Sequence, residues 1–356
     1  MSGPDTRALP TESHTESTRM LNFDEARFLR IQSGAVERAA ELATTVDKCL
    51  GDGAQNLFFL GSGGAGILMQ PAAQLLLAQS GFPVFVHWPA ELIELGSRHL
   101  GPQSIAVIPS LSGTTSESIE ALAYCKRAGA TVITLTGHED SLLARDADRN
   151  VTNFAEDDTS SESYYLQSLG IAAAVLRARG EIADYDDVLA QLRELPGLLV
   201  AVKESAEPAA AQLATTLAAD PYHIITGAGS AWPQAYYYGM CILEEMQWIR
   251  TRPVHAADFF HGTLELVEPG VSVLLLKGED GTRPLADRVA GFVARYSGKL
   301  AVVDTASYEL PGISARVRAL VSPVLLATVL ERVSAHLEVI TGHPLTTRRY
   351  YRRVSY

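Results

Sequence analysis

The chain has 356 residues, of which 47% are hydrophobic and 20% are charged, and its formal net charge at pH 7 is −12. This length and apolar content predict two to three globular domains with substantial cores. The acidic balance argues against a nucleic-acid-binding protein, which usually presents a basic face. The one basic cluster lies at residues 348–353, close to the C-terminus.

Cysteine usage and hydropathy indicate where the protein works. Cys49, Cys125 and Cys241 are far apart and odd in number. They predict neither a disulfide framework nor a metal site, which is typical of a reducing compartment. No apolar run approaches the roughly 20 residues of a membrane span, and the N-terminus lacks the charged-then-apolar pattern of an export signal. We therefore expect a cytoplasmic protein without membrane contact.

The N-terminal part of the chain predicts a tail followed by helices. Residues 1–19 are polar, rich in Thr, Ser and Glu, and without periodicity, which is typical of a disordered extension. A helical stretch begins at Met20, and a longer helix over residues 34–50 ends at Gly51. Together with the elements below, this predicts four segments: residues 1–19, 20–195, 196–345 and a basic tail over 346–356.

From residue 57 onward, apolar strands alternate with helices. The predicted strands are residues 57–60, 84–86, 105–108, 131–135 and 151–154. The predicted helices between and after them include residues 67–79, 91–96 and 163–177. Uninterrupted apolar strands of this kind predict a parallel sheet covered by helices on both faces. Ligands bind such sheets beyond the carboxyl ends of the strands.

The same pattern then starts again. After a helical connector over residues 186–217, the predicted strands are residues 222–226, 271–276, 299–303 and 317–320, and the predicted helices are residues 233–248 and 323–341. A strand, a Gly-x-Gly turn and a long helix thus occur twice, about 165 residues apart, which indicates an internal duplication. The fold class is therefore α/β, with two tandem parallel sheets flanked by helices.

A hydroxyl-rich loop is the most informative motif. Five of the seven residues from 110 to 116 are Ser or Thr, between a predicted strand and a predicted helix. The helix start offers unpaired N–H groups and partial positive charge, and capping alone needs only one or two hydroxyls. We interpret the loop as a phosphate site. The equivalent loop of the second copy, residues 277–281, is acidic, which predicts one phosphate site per chain.

A second glycine-rich loop follows the first strand. Gly61, Gly63 and Gly66 match a dinucleotide-binding pattern, but that pattern alone is weak. The acidic residue that would bind the ribose should end the second strand, and no acid occurs there before Glu91. We therefore expect no nicotinamide or flavin cofactor.

These motifs resemble the sugar isomerase (SIS) domain family. Ser110-x-Ser112-Gly113-x-Thr115 matches its S-x-S-G-x-T phosphate motif, and residues 59–64 resemble its first sugar-contacting loop. The duplication resembles proteins with two tandem SIS domains, among them the isomerase half of glucosamine-6-phosphate synthase and the deglycases of 6-phosphorylated Amadori compounds. The substrate-binding residues implied by the resemblance, with the C-terminal one discussed next, are Gly61, Ser62, Gly63, Ser110, Leu111, Ser112, Thr114, Thr115 and Arg353.

The second copy carries the residues that the resemblance implies for catalysis. Glu245 precedes His261-Gly262 by sixteen positions, and this spacing occurs in both the deglycases and the synthase. The resemblance implies that Glu245 is the base near C1 and C2 and that His261 assists. The synthase also has a lysine near its C-terminus, where residues 350–354 here offer only arginine. Because arginine is a poor imine former, Arg353 fits a phosphate or carboxylate contact and the deglycases are favoured.

The residues themselves are compatible with these roles but leave alternatives. Helical spacing over 233–248 places Glu245 on an apolar stripe with Tyr238 and Cys241, and Glu244 on another face. A carboxylate among apolar neighbours should have a raised pKa, as a base near neutral pH requires. Alternatively, Glu245 is a helix-flanking residue in a salt bridge with Arg250 or Arg252. His261 could be a structural histidine, with His255 as its rival.

The predicted function is a deglycase that cleaves a phosphorylated fructosamine to glucose 6-phosphate and an amine, without metal or cofactor. An aldose–ketose isomerase or an amino-sugar phosphate deaminase is the alternative, since both share the enolisation step. A non-catalytic sugar-phosphate sensor is a third possibility, although residues 1–50 leave no room for a DNA-binding domain. The aromatic density around Glu245 and His261 predicts a homo-oligomer, and the family adds a site shared between subunits.

Overall fold

The first half of the chain forms a parallel sheet of five strands. The computed structural model describes residues 20–155, 161–351 and 353–354, so the predicted disordered extension over 1–19 lies outside the described residues. The elements of this half are α1 (Glu25–Gly51), β1 (Asn56–Leu60), α2 (Gly63–Ile67), α3 (Gln70–Gln79), β2 (Val84–His87), α4 (Pro89–Leu95), β3 (Ser104–Ser110), α5 (Ser116–Arg127), β4 (Thr131–Thr136), α6 (Leu142–Asp146), β5 (Arg149–Thr152) and α7 (Ser161–Ala178). The sheet order is β2-β1-β3-β4-β5, which confirms the predicted strands.

The second half repeats this arrangement with four strands. Its elements are α8 (Tyr185–Ala219), β6 (Tyr222–Gly227), α9 (Ala231–Tyr237), a π-helix (Tyr238–Met246), β7 (Arg250–His255), β8 (Ser272–Lys277), α10 (Arg283–Tyr296), β9 (Leu300–Asp304) and α11 (Ala315–Thr341). The order β7-β6-β8-β9 matches the first four strands of the first sheet, and all pairs are parallel. The predicted duplication is confirmed at the level of topology.

Alternate residues of the central strands face opposite layers of helix. Leu57 and Phe59 of β1 belong to one buried cluster, whereas Phe58 and Leu60 belong to another on the opposite face. This burial on both faces is why the strands read as continuous apolar runs. Between the sheets, α8 packs along α11, α1 packs along α7, and α11 contacts α7.

The last predicted strand is wrong. Residues 317–320 form the first turns of α11, which begins eight residues before Pro323. The hydroxyl of Ser314 accepts a hydrogen bond from the backbone N–H of Val317 at 3.3 Å and caps the helix. A run as short as residues 317–320 does not distinguish a strand from a helix. Pro323 suggested that the helix starts later, because proline favours the first turn of a helix. Among the described residues, α11 alone is long and apolar enough to cross a membrane, and 83% of its most apolar stretch is buried in the fold.

Three further features differ from the predictions. The strand β7 was missed because Arg250, Thr251 and Arg252 give it a polar sequence, as suits an edge strand that also tolerates Pro253. The helix α8 runs unbroken through the predicted domain boundary at 195/196. The two predicted N-terminal helices form one helix, α1.

A buried cation joins the helices of the two halves. Lys203 of α8 has only 1% of its side chain exposed, and its Nζ lies 3.2 Å from Glu162 of α7 and 2.7 Å from Glu331 of α11. Nζ also donates to the carbonyl of Thr328 and lies 4.6 Å from the ring centre of Phe28. Burial raises the pKa of Glu162, although Lys203 opposes the rise. The cluster therefore ties α7, α8 and α11 together.

Replacing Lys203 by methionine should destabilise the protein by about 3–5 kcal/mol, because Glu162 would stay buried without its cation. Urea unfolding followed by circular dichroism measures the change. Lys299, whose side chain is 45% exposed beside Asp220, is the matched control, and Lys299→Met should cost at most about 1 kcal/mol. Equal losses in the two variants would contradict a structural role for the buried cluster.

Candidate functional site

Two loops meet at the carboxyl edge of the first sheet because β1 and β3 are neighbours. A side chain on Gly61 would place its Cβ 2.5 Å from the Cα of Gly66 and 3.2 Å from the Cγ of Pro109. Gly63 has φ +56°, in the left-handed region. The loop glycines therefore allow the backbone after β1 to turn tightly against the end of β3. Ser62 caps α2 by position, without a capping bond from its side chain.

The loop after β3 is held by its own hydroxyls. The buried Ser110 accepts a hydrogen bond at Oγ from the N–H of Gly113 at 3.2 Å, and Gly113 has φ +61°. The Oγ of Ser112 accepts from both the N–H and the hydroxyl of Thr114, at 3.3 and 3.0 Å. Leu111 shapes the loop through its carbonyl, which accepts from Gly137. The predicted residues of both loops are therefore brought together.

Thr115 carries the feature that points to a ligand. It stands at the N-cap of the twelve-residue helix α5, yet its side chain makes no capping bond to the helix. Its hydroxyl instead lies 3.4 Å from the hydroxyl of Ser110. Two hydroxyls side by side at a helix N-terminus can both donate to one anion, where the helix dipole also favours negative charge.

The second half of the chain covers the glycine loop. A Cβ on Gly64 would lie 2.7 Å from the ring of Tyr237 and 3.5 Å from the sulfur of Cys241. Tyr237 ends α9, and Cys241 belongs to the π-helix that continues it. About one turn beyond Cys241 on this π-helix lies Glu245. The site is thus built by both halves of the chain.

The predicted environment of Glu245 is wrong. The predicted apolar stripe holds at Tyr238, Cys241 and Ile242, which are buried, but Glu245 keeps 36% of its side chain exposed and Trp248 is exposed. The cause is the π-helix, whose i→i+5 hydrogen bonds give it more residues per turn than the α-helix assumed in the prediction. Glu244, as predicted, faces elsewhere, and its carboxylate accepts from the N–H and hydroxyl of Thr251.

Sequence reasoning missed the partner of Glu245. Arg348 donates from Nε to Oε1 of Glu245 at 2.8 Å, and only 11% of its side chain is exposed. The same guanidinium donates to the carbonyls of Leu345 and Thr347. The signal was the basic cluster over 348–353, but a cluster alone does not reveal which carboxylate it meets 103 positions earlier.

The residues after α11 pack against the end of the π-helix. The guanidinium of Arg349 lies 4.1 Å from the ring centre of Trp248, and His343 meets the same ring edge-on at 4.3 Å. Trp248 has φ +58°, which is strained for a residue other than glycine. Such strain is held in place by surrounding contacts and recurs beside functional sites. The C-terminal segment therefore helps to fix the backbone next to Glu245.

The other two predicted site residues are His261 and Arg353, and both are exposed. His261 is exposed in the turn after β7, where its N–H donates to the carbonyl of Asp258. Its rival His255 has a structural role: its Nδ1 accepts from the N–H of Ala257, its ring meets Trp232 edge-on, and burial lowers its pKa. Arg353 is exposed, and Arg348 rather than Arg353 reaches Glu245.

The described residues offer no candidate metal-binding site. Across those residues, no group of three His, Cys, Asp or Glu side chains is placed to hold a metal ion. The three cysteines are buried and form no disulfide, and burial raises the pKa of Cys125 to about 12. Cys125 is therefore a packing residue.

Comparison with known proteins agrees with this architecture. The SIS domain profile matches residues 53–177. Fructosamine deglycase FrlB of Bacillus subtilis is 29% identical over 85% of this chain and 92% of its own length. Fructoselysine 6-phosphate deglycase of Escherichia coli K12 is 27% identical over 67% of this chain and 68% of its own length.

Solved structures extend the match to both halves. A Bacillus subtilis protein assigned as a phosphosugar isomerase superposes with a TM-score of 0.83 at 28% identity, covering 90% of this chain and 99% of that protein. The C-terminal domain of glucosamine-fructose-6-phosphate aminotransferase from Francisella tularensis shares the fold, with a TM-score of 0.78 at 14% identity over 90% and 95% of the two chains. The chain therefore contains an SIS domain over residues 53–177, and its two halves together share the fold of these solved structures.

Proposed function

We propose that this protein is a deglycase that cleaves 6-phosphorylated fructosamines to glucose 6-phosphate and a free amine. The observation that carries the proposal is the arrangement of the candidate site: a hydroxyl-rich loop at the N-terminus of α5, and a glutamate, Glu245, on a helix packed over the adjacent loop. The names of the relatives at 29% and 27% identity support this substrate class.

The proposed reaction starts from the open-chain 2-ketone with nitrogen on C1. The hydroxyl loop holds the phosphate, and the carboxylate of Glu245 removes a proton from C1. The C1–H electrons form the C1=C2 bond, the π electrons of C2=O move onto the oxygen, and the proposed acid partner His261 protonates that oxygen to give an enaminol. Protonation at C2 with electron donation from nitrogen gives an imine at C1. Water adds to this imine and releases the amine, leaving the aldehyde of glucose 6-phosphate. The lone pair of the nitrogen thus drives the protonation at C2 and forms the imine bond.

Arg348 has a defined part in this scheme. An arginine stabilises the charged form of a carboxylate beside it, and the charged form of Glu245 is the one that accepts a proton. Because Arg348 contacts Glu245 from the C-terminal segment, we propose that this segment orients the base. His261 and Arg353 remain proposed as acid partner and substrate contact.

The alternative isomerase chemistry shares the first proton transfer and differs in its products. The synthase-type route to ring opening uses a C-terminal lysine, and no lysine follows Lys299 in this chain. Incubation with phosphorylated fructosamines should therefore release glucose 6-phosphate and an equivalent of amine. Release of ammonia would identify a deaminase, and interconversion of aldose and ketose phosphates without amine release would identify an isomerase.

We also propose that the active protein is a homo-oligomer of the cytoplasm. Three aromatics near the site, Tyr237, Tyr238 and Phe259, are buried within one chain, so core packing explains them. Other large apolar side chains remain uncovered, among them Trp88, the N-cap of α4, and Leu95, its last residue, at 61% and 77% exposure. They lie beside the edge strand β2, where a second copy could pack.

Replacing Thr115 by valine keeps its shape but removes the hydroxyl that does not cap α5. Phosphate-ester binding should weaken by about 0.5–1.5 kcal/mol, as measured by calorimetry with glucose 6-phosphate. The combined alanine variant at Ser110, Ser112 and Thr115 should bind far more weakly still. Ser116→Ala is the control, because that hydroxyl donates to Glu117 at the surface. Unchanged affinity in the combined, folded variant would remove the loop from the site.

Replacing Glu245 by glutamine should lower turnover by about 10²–10⁴-fold with little change in phosphate affinity, because general-base catalysis is lost. Glu244→Gln is the neighbouring control and should stay near wild type. If Glu244→Gln were the inactive variant instead, the assignment of the base would be off by one residue. Full activity in both would contradict enolisation by this helix.

Mixing two inactive variants tests whether the site is shared between subunits. If Glu245 of one subunit works with the partner's histidine, Glu245→Gln and His261→Asn should complement each other after co-refolding, up to about a quarter of wild-type activity for a random dimer. Each variant refolded alone is the control. An active protein that sediments strictly as a monomer would contradict the shared site.

A further inference from the structure

The second half of the chain repeats both loops of the site at nearly constant spacing. Gly227 and Gly229 follow Gly61 and Gly63 by 166 positions, and Gly229 has φ +53° where Gly63 has +56°. Thr282 follows Thr115 by 167 positions. Each threonine stands at the N-cap of a helix, α10 or α5, and neither side chain makes a capping bond to its helix.

The two copies differ in what lies between these loops. In the second copy, Asp280 occupies the position of Gly113, and Ser230 occupies the position of Gly64. The N–H and hydroxyl of Ser230 donate to Oδ2 of Asp280 at 2.8 and 2.7 Å. The N–H and hydroxyl of Thr282 donate to its Oδ1 at 2.9 and 2.5 Å. The carboxylate therefore receives four hydrogen bonds from two loops.

This donor set has the chemistry of an anion site. Two backbone N–H groups and two hydroxyls converge at the start of the fourteen-residue helix α10. A Cβ on Gly229 would lie 2.6 and 2.8 Å from the Asp280 oxygens, so the glycine lets the loop close on the carboxylate. Burial raises the pKa of Asp280, but the hydrogen bonds from Thr282 and Ser230 outweigh it and hold the pKa below its ordinary value.

Space for a ligand remains above this carboxylate. A cavity of about 490 Å³ is lined by residues 229–230 and 279–282 on one side and by α3, α7 and the start of α11 on the others. Glu279, also in the lining, is held by two hydrogen bonds from Arg318. The first copy has glycine at the two equivalent positions, Gly64 and Gly113, so its loop contributes no carboxylate of its own. The side chain of Ser141 packs against Gly113 instead, with its Oγ in the space that a Cβ on Gly113 would occupy.

We infer that Asp280 is a built-in carboxylate that occupies a second phosphate site and excludes phosphate esters from the second domain. An incoming phosphate would meet donors already satisfied and a negative charge at the point where it must bind. One chain therefore binds one phosphate ester, in the first domain, although both domains retain the loop framework. This inference stands on the second domain alone and does not require the proposed deglycase activity.

The test is to open the second site by removing the side chain. Asp280→Gly copies Gly113, and its binding stoichiometry for glucose 6-phosphate is measured by calorimetry, with ³¹P NMR of inorganic phosphate as a second readout. Wild type should bind one equivalent and Asp280→Gly two. The same substitution in the Ser110, Ser112 and Thr115 alanine background should bind one equivalent at ligand concentrations where that background alone, whose first site is far weaker, shows no saturable binding.

Two controls keep the outcome decisive. Adding Ser230→Ala to Asp280→Gly should weaken the second site severalfold, since it removes one of the four donors. If Asp280→Gly does not fold, Asp280→Ser replaces it, read as phosphate-dependent thermal stabilisation in the alanine background. A folded Asp280 variant that gains no phosphate site would overturn the inference, as would two equivalents bound to wild type. If wild type binds none, the first site fails, while a gain on Asp280→Gly still supports the second.

Discussion

The candidate site, which both halves of the chain build, depends on the ion pairs of the buried Lys203 ammonium group. This ammonium bridges Glu162 at the start of α7 and Glu331 within α11, and these helices belong to different halves of the chain. The next residue of α11, Arg332, has a fully buried side chain whose guanidinium pairs with Glu207 and donates to the carbonyl of Leu21. Buried charges of this kind tolerate few alternative geometries, because each loses its hydration unless its partners stay in place. The halves are therefore fixed relative to each other, and the π-helix is held over the glycine loop.

Much of the fold could be predicted because its determinants are local. Strands buried on both faces are continuous apolar runs, and the loops that end them carry glycines and hydroxyls at readable spacing. The wrong predictions share one physical cause: they concern segments whose structure depends on contacts with distant parts of the chain. The edge strand β7 is polar because it lies at the edge of its sheet, and residues 317–320 are helical because Ser314 caps α11, which packs along α8.

The site was predictable in its loops and less so around its glutamate. Ser110, Thr115 and Gly61 meet because adjacent parallel strands end at one edge, which topology dictates. The surroundings of Glu245 depend on a helix type that no residue pattern announces and on Arg348, which arrives from the far end of the chain. The duplication adds a further lesson, since the acidic second loop read as unsuited to phosphate turns out to satisfy its donors with its own carboxylate.

The π-helix affects how this segment accommodates the insertion or loss of a residue during evolution. An α-helix becomes a π-helix locally when one residue is inserted without altering the flanking turns, and the extra residue is accommodated as a bulge rather than by shifting the helix. Nine residues from Tyr238 to Met246 follow this wider winding. Loss of a single residue there would restore ordinary winding while the side chains beyond Met246 kept their directions. Glu245 lies within the widened segment, so the direction of its carboxylate depends on that winding. The direction of the carboxylate is therefore set by the number of residues in the segment as well as by their identity.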